Sequence, residues 1–260
     1  MKQLKSSLSD LRDIFDRSIT VGDIAEPVVS FDDRDDAQIV KAFMIQHDYD
    51  YFGIRSDGHI VGYANRDKLG AGPLSEWSEQ FETDRLVSDR TSLLKTLRRM
   101  QNVNPLFVSA HEKVWGIVTK GDLQKFPFRM WLFGVLSMVE MHMLRLIRET
   151  FSNDTWQHRL NARRLQKAKE ILDLRTRRNE EIDLADCLEW SDKVAIISGS
   201  ERVRGSLGFQ SKGDAQRRLG RMEELRNFLA HAQDLLTGNW PRLIDVTEDA
   251  ERLLDIAERT

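Results

Sequence analysis

The 260-residue sequence predicts an α+β half, built from two copies of one strand-helix-strand-strand unit, followed by an all-α helical bundle. Two observations carry this reading. The stretches Gly62-Tyr63-Ala64-Asn65-Arg66-Asp67-Lys68-Leu69 and Gly116-Ile117-Val118-Thr119-Lys120-Gly121-Asp122-Leu123 share one order of glycine, apolar strand, polar residue and aspartate. After Phe128 the strand signals vanish, and apolar residues recur with a period of about 3.6 residues.

The elements follow in chain order. Leu8, Leu11, Ile14 and Phe15 make an amphipathic helix within 1–17, and Met1-Lys2-Gln3-Leu4-Lys5 before it has no signal-peptide core, so a cytoplasmic protein is expected. In the first copy Val28-Val29-Ser30 reads as a strand and Ala37 to Met44 as a helix. Tyr51-Phe52-Gly53-Ile54 and His59 to Ala64 are strands joined by the turn Ser56-Asp57-Gly58. The second copy repeats this with Leu86-Val87, a helix through Leu93, Leu97 and Met100, and strands at 105–108 and 114–118. The domains read as an N-terminal helix at 1–17, a repeat pair at 18–125 and a helical domain at 126–260.

In the second half the periodicity predicts helices over 128–151, 155–177, 183–198, 212–236 and 243–258. Asp214 or nearby Ser211 suits the N-cap of the fourth, and Gly238 its C-cap. The most apolar run, Phe126 to Ile147, contains Arg129, Glu140, His142 and Arg145, so it reads as a buried helix and no membrane association is expected.

Composition narrows the function classes. A net charge of −3 gives no overall basic excess, so nucleic-acid binding has to come from local patches. The stronger patch is Arg159 to Arg178 and the weaker Arg202 to Arg221; a solvated helix face explains either equally well. One cysteine, Cys187, excludes an intrachain disulfide, and the six histidines do not cluster with it, so no metal site is expected.

The duplicated Gly-strand-polar-Asp ending resembles the CBS motif, two copies of which pair into a Bateman module; the likeness covers about residues 18 to 125. It implies an adenine nucleotide (ATP, ADP or AMP) as a regulatory ligand, and no further cofactor. By that resemblance Thr119 takes the phosphate side and Asp122 the ribose hydroxyls. In the first copy Asp67 is retained, while Asn65 stands where Ser or Thr is usual. A hydroxyl and the N–H groups of a helix start suit phosphate, and a carboxylate suits ribose hydroxyls. The same Thr-x-x-Asp pattern also serves as helix capping alone.

The other motif lies late in the helical half. Arg226-Asn227-Phe228-Leu229-Ala230-His231 joins a phosphate-binding cation, an amide and an imidazole that titrates near neutrality. Asn227 and His231 fall one turn apart on one helix face, with Arg226 adjacent and long enough to reach round. An ordinary polar flank to the stripe of Leu219, Met222, Leu225 and Leu229 accounts for the same residues. The run R-N-x-x-x-H resembles the signature of the HEPN superfamily, whose active members are metal-independent endoribonucleases; this likeness covers roughly 128–258. It implies an RNA substrate and a homodimer. His231 is then the general base on a ribose 2′-hydroxyl, Arg226 stabilises the phosphate charge and Asn227 orients the imidazole or the substrate, leaving a cyclic phosphate. Glu140 is a candidate to orient Arg226, against pairing with Arg145 or His142.

The expected function is therefore a nucleotide-regulated ribonuclease, in the class of toxin, stress or defence effectors, with a neutralising protein as a further partner. The alternative is a non-catalytic adenine-nucleotide sensor and dimerisation or protein-interaction scaffold. A DNA-binding regulator using the Arg159 to Arg178 face is weaker, because no helix-turn-helix spacing is evident.

Overall fold

The computed structural model describes residues 8–231, 234–235 and 240–259. It divides into two compact units: residues 16–129, and the described parts of 1–15 and 130–260. Helix α1, Leu8–Ser18, starts in the helical unit, so the chain changes unit at Asp16 and again after Arg129, against the boundaries at 17 and 125 read from the sequence.

In the first unit β1 (Glu26–Pro27) precedes the first repeat, β2 (Ser30–Asp32), α2 (Ala37–Gln46), β3 (Tyr51–Ser56) and β4 (His59–Asn65). The second repeat is β5 (Leu86–Ser88), α3 (Leu93–Arg99), β6 (Leu106–Ala110) and β7 (Lys113–Val118). In each, the first strand runs parallel to the second and the second antiparallel to the third. Gly62 sits opposite Ile54 and Gly116 opposite Val108, and a bulge follows at the same place in both. This is a duplicated α+β topology, as the repeated sequence pattern predicts.

The two repeats are closed by exchange. β1 pairs antiparallel with β7 of the second repeat, and Glu79, from the segment between repeats, pairs with Tyr63 of β4. The exchanged segments explain the glycines. A Cβ at Gly62 would lie 2.8 Å from the Glu79 carbonyl oxygen, and one at Gly116 would lie 3.1 Å from that of Glu26. Helix α2 starts where the Asp36 carboxylate accepts the N–H groups of Gln38 and Ile39, and buries Ala37, Val40 and Met44 against Phe52, Ile54 and Leu74. Tyr63, Phe81 and Phe107 pack with centroids 4.7 to 5.5 Å apart, Phe81 stacked on Tyr63 and edge-to-face on Phe107, in a second apolar cluster with Val28.

The helical unit contains α4 (Phe126–Thr150) from Met130 onward, α5 (Ala162–Thr176), α6 (Trp190–Gly199), α7 (Glu201–Ser206), α8 (Lys212–Ala230) and α9 (Trp240–Arg259). Local chemistry breaks two of the helices expected from periodicity. In place of 155–177 the chain makes a 3-10 turn with Asn153 and Asp154 left-handed, and α5 restarts where Asn161 caps the Arg164 N–H. In place of 183–198 a turn at Leu184–Cys187 precedes a second start at Glu189, whose N–H is taken by Asp192. The stretch 198–213 contains α7, begun by the Ser200 cap. Ser211 caps α8 as expected, but the helix ends at Ala230, short of 236; Gly238 lies outside the described residues.

The bundle buries Trp131, Trp156, Ile147, Leu219, Met222 and Ala250 completely. The Phe15 ring of α1 lies over Gly134 of α4, where a Cβ would come within 2.6 Å of it. Arg12 is held by three carboxylates of α9, those of Glu251, Asp255 and Glu258. Among the described residues α4 alone is long and apolar enough to cross a membrane; half of its apolar window is buried within the protein.

Two candidate sites

The first candidate site is the turn that ends each repeat. After β7, Thr119 and Asp122 form a closed capping box: Asp122 Oδ2 accepts the Thr119 N–H at 2.6 Å and its hydroxyl at 2.9 Å. The other oxygen, Oδ1, pairs with Lys125 Nζ at 2.7 Å, and Asp122 is only 8% exposed. Burial opposes the Lys125 charge, but bonds to Asp122 and Glu26 raise its pKa above the ordinary lysine value. Both carboxylate oxygens of Asp122 are thus engaged inside the protein. This is the capping arrangement named as the alternative for Thr-x-x-Asp. It also occurs at Thr20 and Asp23, ahead of the first repeat.

After β4 the arrangement differs. Asn65 uses its side-chain oxygen to accept the Asp67 N–H at 2.8 Å, which leaves the Asp67 carboxylate 81% exposed beside Arg66. Of the two aspartates assigned to nucleotide, Asp67, in the copy with the poorer motif, offers the more exposed carboxylate, held only by a 3.5 Å contact from Arg66 Nε. Lys125, three residues beyond Asp122, was missed in the sequence; its spacing on the helix start was the available signal.

The second candidate site is on α8, and the structure divides the Arg226-Asn227-His231 trio. Asn227 and His231 are exposed, with the His231 N–H bonded to the Asn227 carbonyl at the helix end. Arg226 does not reach round to them. A five-residue separation places it about 140° from His231 around the axis, and its Nε lies buried 3.5 Å from Glu140 Oε2 on α4 without a hydrogen bond. Glu140 does not pair with Arg145 or His142; its other oxygen accepts from the buried Lys193 Nζ at 2.8 Å. Arg145 instead reaches Glu149 and the Ala257 carbonyl.

Arg226 and Glu140 belong to a polar pocket with Glu189 and Glu223. Burial, with Glu189 and Glu140 nearby, holds the Glu223 carboxyl above its ordinary pKa, against the pull of Arg164 and Arg226. Lys193 and Glu223 were not singled out in the sequence. Glu223 precedes Arg226 by three residues, which puts the two on neighbouring positions of one helix side.

Half of the basic patch is consumed by structure: four of its eight cations, Arg159, Arg164, Lys167 and Arg175, hold partners within the protein. Arg159 donates to the Gly199 carbonyl, Arg164 to Ser191 and Asp192, Lys167 to Glu189 and Arg175 to Glu180. Among the described residues no three His, Cys, Asp or Glu side chains converge as a metal-ligand set.

No protein-family model matches the sequence, and no curated protein does. Solved structures do show similarity. One is an uncharacterized conserved protein from Pyrococcus horikoshii, 16% identical over 41% of this chain and 90% of that one, with a TM-score of 0.37. A second is the CBS domain of a bacterial CNNM/CorC family Mg2+ transporter in complex with ATP, 21% identical over 45% and 91% of the two chains, TM-score 0.34. A third is CBSX2 in complex with AMP, 17% identical over 40% and 92%, TM-score 0.35.

Proposed function

We propose that this chain is a cytoplasmic, nucleotide-responsive endoribonuclease acting as a homodimer. His231 takes the proton of a ribose 2′-hydroxyl; the oxygen attacks the adjacent phosphorus, and the bond to the 5′-oxygen of the next nucleotide breaks. The products are a 2′,3′-cyclic phosphate and a 5′-hydroxyl; water protonates the leaving 5′-oxygen, and the hydroxide so formed takes the proton back from the His231 imidazolium. Asn227 orients the imidazole or the substrate. Arg226 stabilises the phosphate charge once its guanidinium leaves Glu140. The CBS-like pair takes an adenine nucleotide near Thr119 and Asp122, or near Asn65 and Asp67. A toxin, stress or defence role, with a neutralising protein partner, belongs to the same proposal.

The observation that carries the ribonuclease reading is the joint exposure of Asn227 and His231 at the end of α8. The test is incubation of the full chain with total RNA and a tRNA pool in EDTA, with and without ATP and AMP, beside His231→Ala. Cleavage by the wild type alone, with a rate that ATP or AMP changes, is the expected result. No cleavage in any arm removes the ribonuclease reading.

The non-catalytic sensor and scaffold reading is favoured by one observation, the engagement of Arg226 with Glu140 on the side of α8 away from His231. On that reading ATP alters assembly, seen by sedimentation, while RNA stays intact.

A further inference from the structure

Between α8 and α9 lies a small open-mouthed pocket of about 80 Å³. Leu225 and Val246 form its apolar floor, Phe228, Arg221 and Arg242 its walls, and Asp234 part of its rim. A shallower groove beside it shares Arg221 and Arg242 and adds Gly220 and Glu224. Phe228 keeps 39% of its surface exposed. The cations differ in what they already hold. Arg217 pairs with Asp214 and Arg242 with Glu224, whereas Arg221 has no ion-pair or hydrogen-bond partner among the described residues.

An exposed aromatic ring, an apolar floor and an uncommitted guanidinium are what one nucleotide unit needs: the base stacks on the ring and the phosphate takes two parallel hydrogen bonds from the arginine. Phe228 and His231 are three residues apart, on neighbouring positions of one side of α8. A base paired inside a duplex has no face left to stack on Phe228, which selects a single strand. We infer that the α8–α9 groove is a binding site for single-stranded RNA, with a base on Phe228 and a phosphate on Arg221, next to His231. The choice of RNA rests on the ribonuclease reading above.

The test uses the full chain and a 5′-fluorescein 2′-O-methyl oligouridylate, which lacks the attacking hydroxyl and is bound without being cut. Fluorescence anisotropy over a salt series is expected to show Arg221→Ala and Phe228→Ala each weakening binding about tenfold. Arg221→Ala lowers the salt slope by about one, and Phe228→Ala leaves it unchanged. Phe228→Tyr and Arg221→Lys retain most of the affinity and control for loss of fold, with melting curves taken on every variant. Wild-type affinity in both alanine variants overturns the inference. So does equal competition by duplex RNA, which removes the stacked base, or by UMP, which makes the groove a free-nucleotide site.

Its fate is separable from that of the ribonuclease reading. If no RNA is ever cut but binding depends on Arg221 and Phe228, the groove stands and the enzyme falls. If RNA is cut and the two alanine variants bind as the wild type does, the groove falls alone.

Discussion

The turns that end the two repeats share their place in the fold, yet differ in what their aspartates have left to offer. Asp122 is buried and spends both oxygens on Thr119 and Lys125, while Asp67 stands in solvent because Asn65 does the capping. The difference teaches that a well-matched motif and an available ligand are separate properties. The residue that makes Thr119-Lys120-Gly121-Asp122 look complete is also the one that the capping box occupies. Helix α8 repeats the contrast: Arg226 is held by Glu140 on one side, and Asn227 and His231 are free on the other.

The largest way to break the equivalence of the repeats is at their glycines. Gly62→Ala forces its Cβ against the Glu79 carbonyl and is expected to cost about 3 kcal/mol, while Gly116→Ala, with more room, costs about 1 kcal/mol. Urea denaturation of both variants measures the gap. Equal losses would mean that the two exchanged segments are equally tight.

An effect of similar size is expected inside the helical unit. His142 is 1% exposed, neither ring nitrogen has a hydrogen-bond partner, and burial, aided by the Arg145 charge, lowers its pKa to about 4. The unfolded chain therefore binds the proton first. Stability from this group is intact above about pH 6.5, falls as pH drops through the window, and is lost by about 3 kcal/mol once pH is below the folded value. His142→Leu removes this loss. Stability curves of wild type and variant between pH 7 and pH 4 that run parallel would contradict the assignment.

Next comes the comparison of the aspartates themselves. Asp122→Ala removes a capping box and a partly buried ion pair and is expected to cost about 2 kcal/mol; Asp67→Ala stays within about 0.5 kcal/mol. The same pair sharpens the nucleotide reading. If the exposed carboxylate takes the ribose, Asp67→Ala weakens ATP binding severalfold by calorimetry at unchanged melting temperature. Should ATP affinity fall only with Asp122→Ala, the ligand displaces the capping box of the second repeat.

Much of the fold was legible because its signals are local. The duplicated turn chemistry and the apolar runs around Gly62 and Gly116 mark the strands wherever they pair. The Ser211 cap of α8 could be read from one short stretch. The breaks at Asn161 and Glu189 were hidden because a polar residue inside an apolar period reads equally well as a solvent-facing helical position; only the Asn161 oxygen accepting the Arg164 N–H, and the Asp192 carboxylate accepting the Glu189 N–H, make them starts. The α8–α9 groove was invisible for another reason. Arg221 and Phe228 look like ordinary surface positions until α9 packs beside them.

By itself the sequence determined the strand-helix-strand-strand order within each repeat, the duplication, the two motif-bearing segments and the spacing of Asn227 and His231, all consequences of short-range periodicity and capping. The tertiary structure decided which functional groups remain available. Lys125 and Lys193 claim Asp122 and Glu140, and Glu140 draws Arg226 away from His231. The reason is physical: a charged side chain leaving water takes the nearest opposite charge, and the element that supplies that charge is chosen by packing across long stretches of chain.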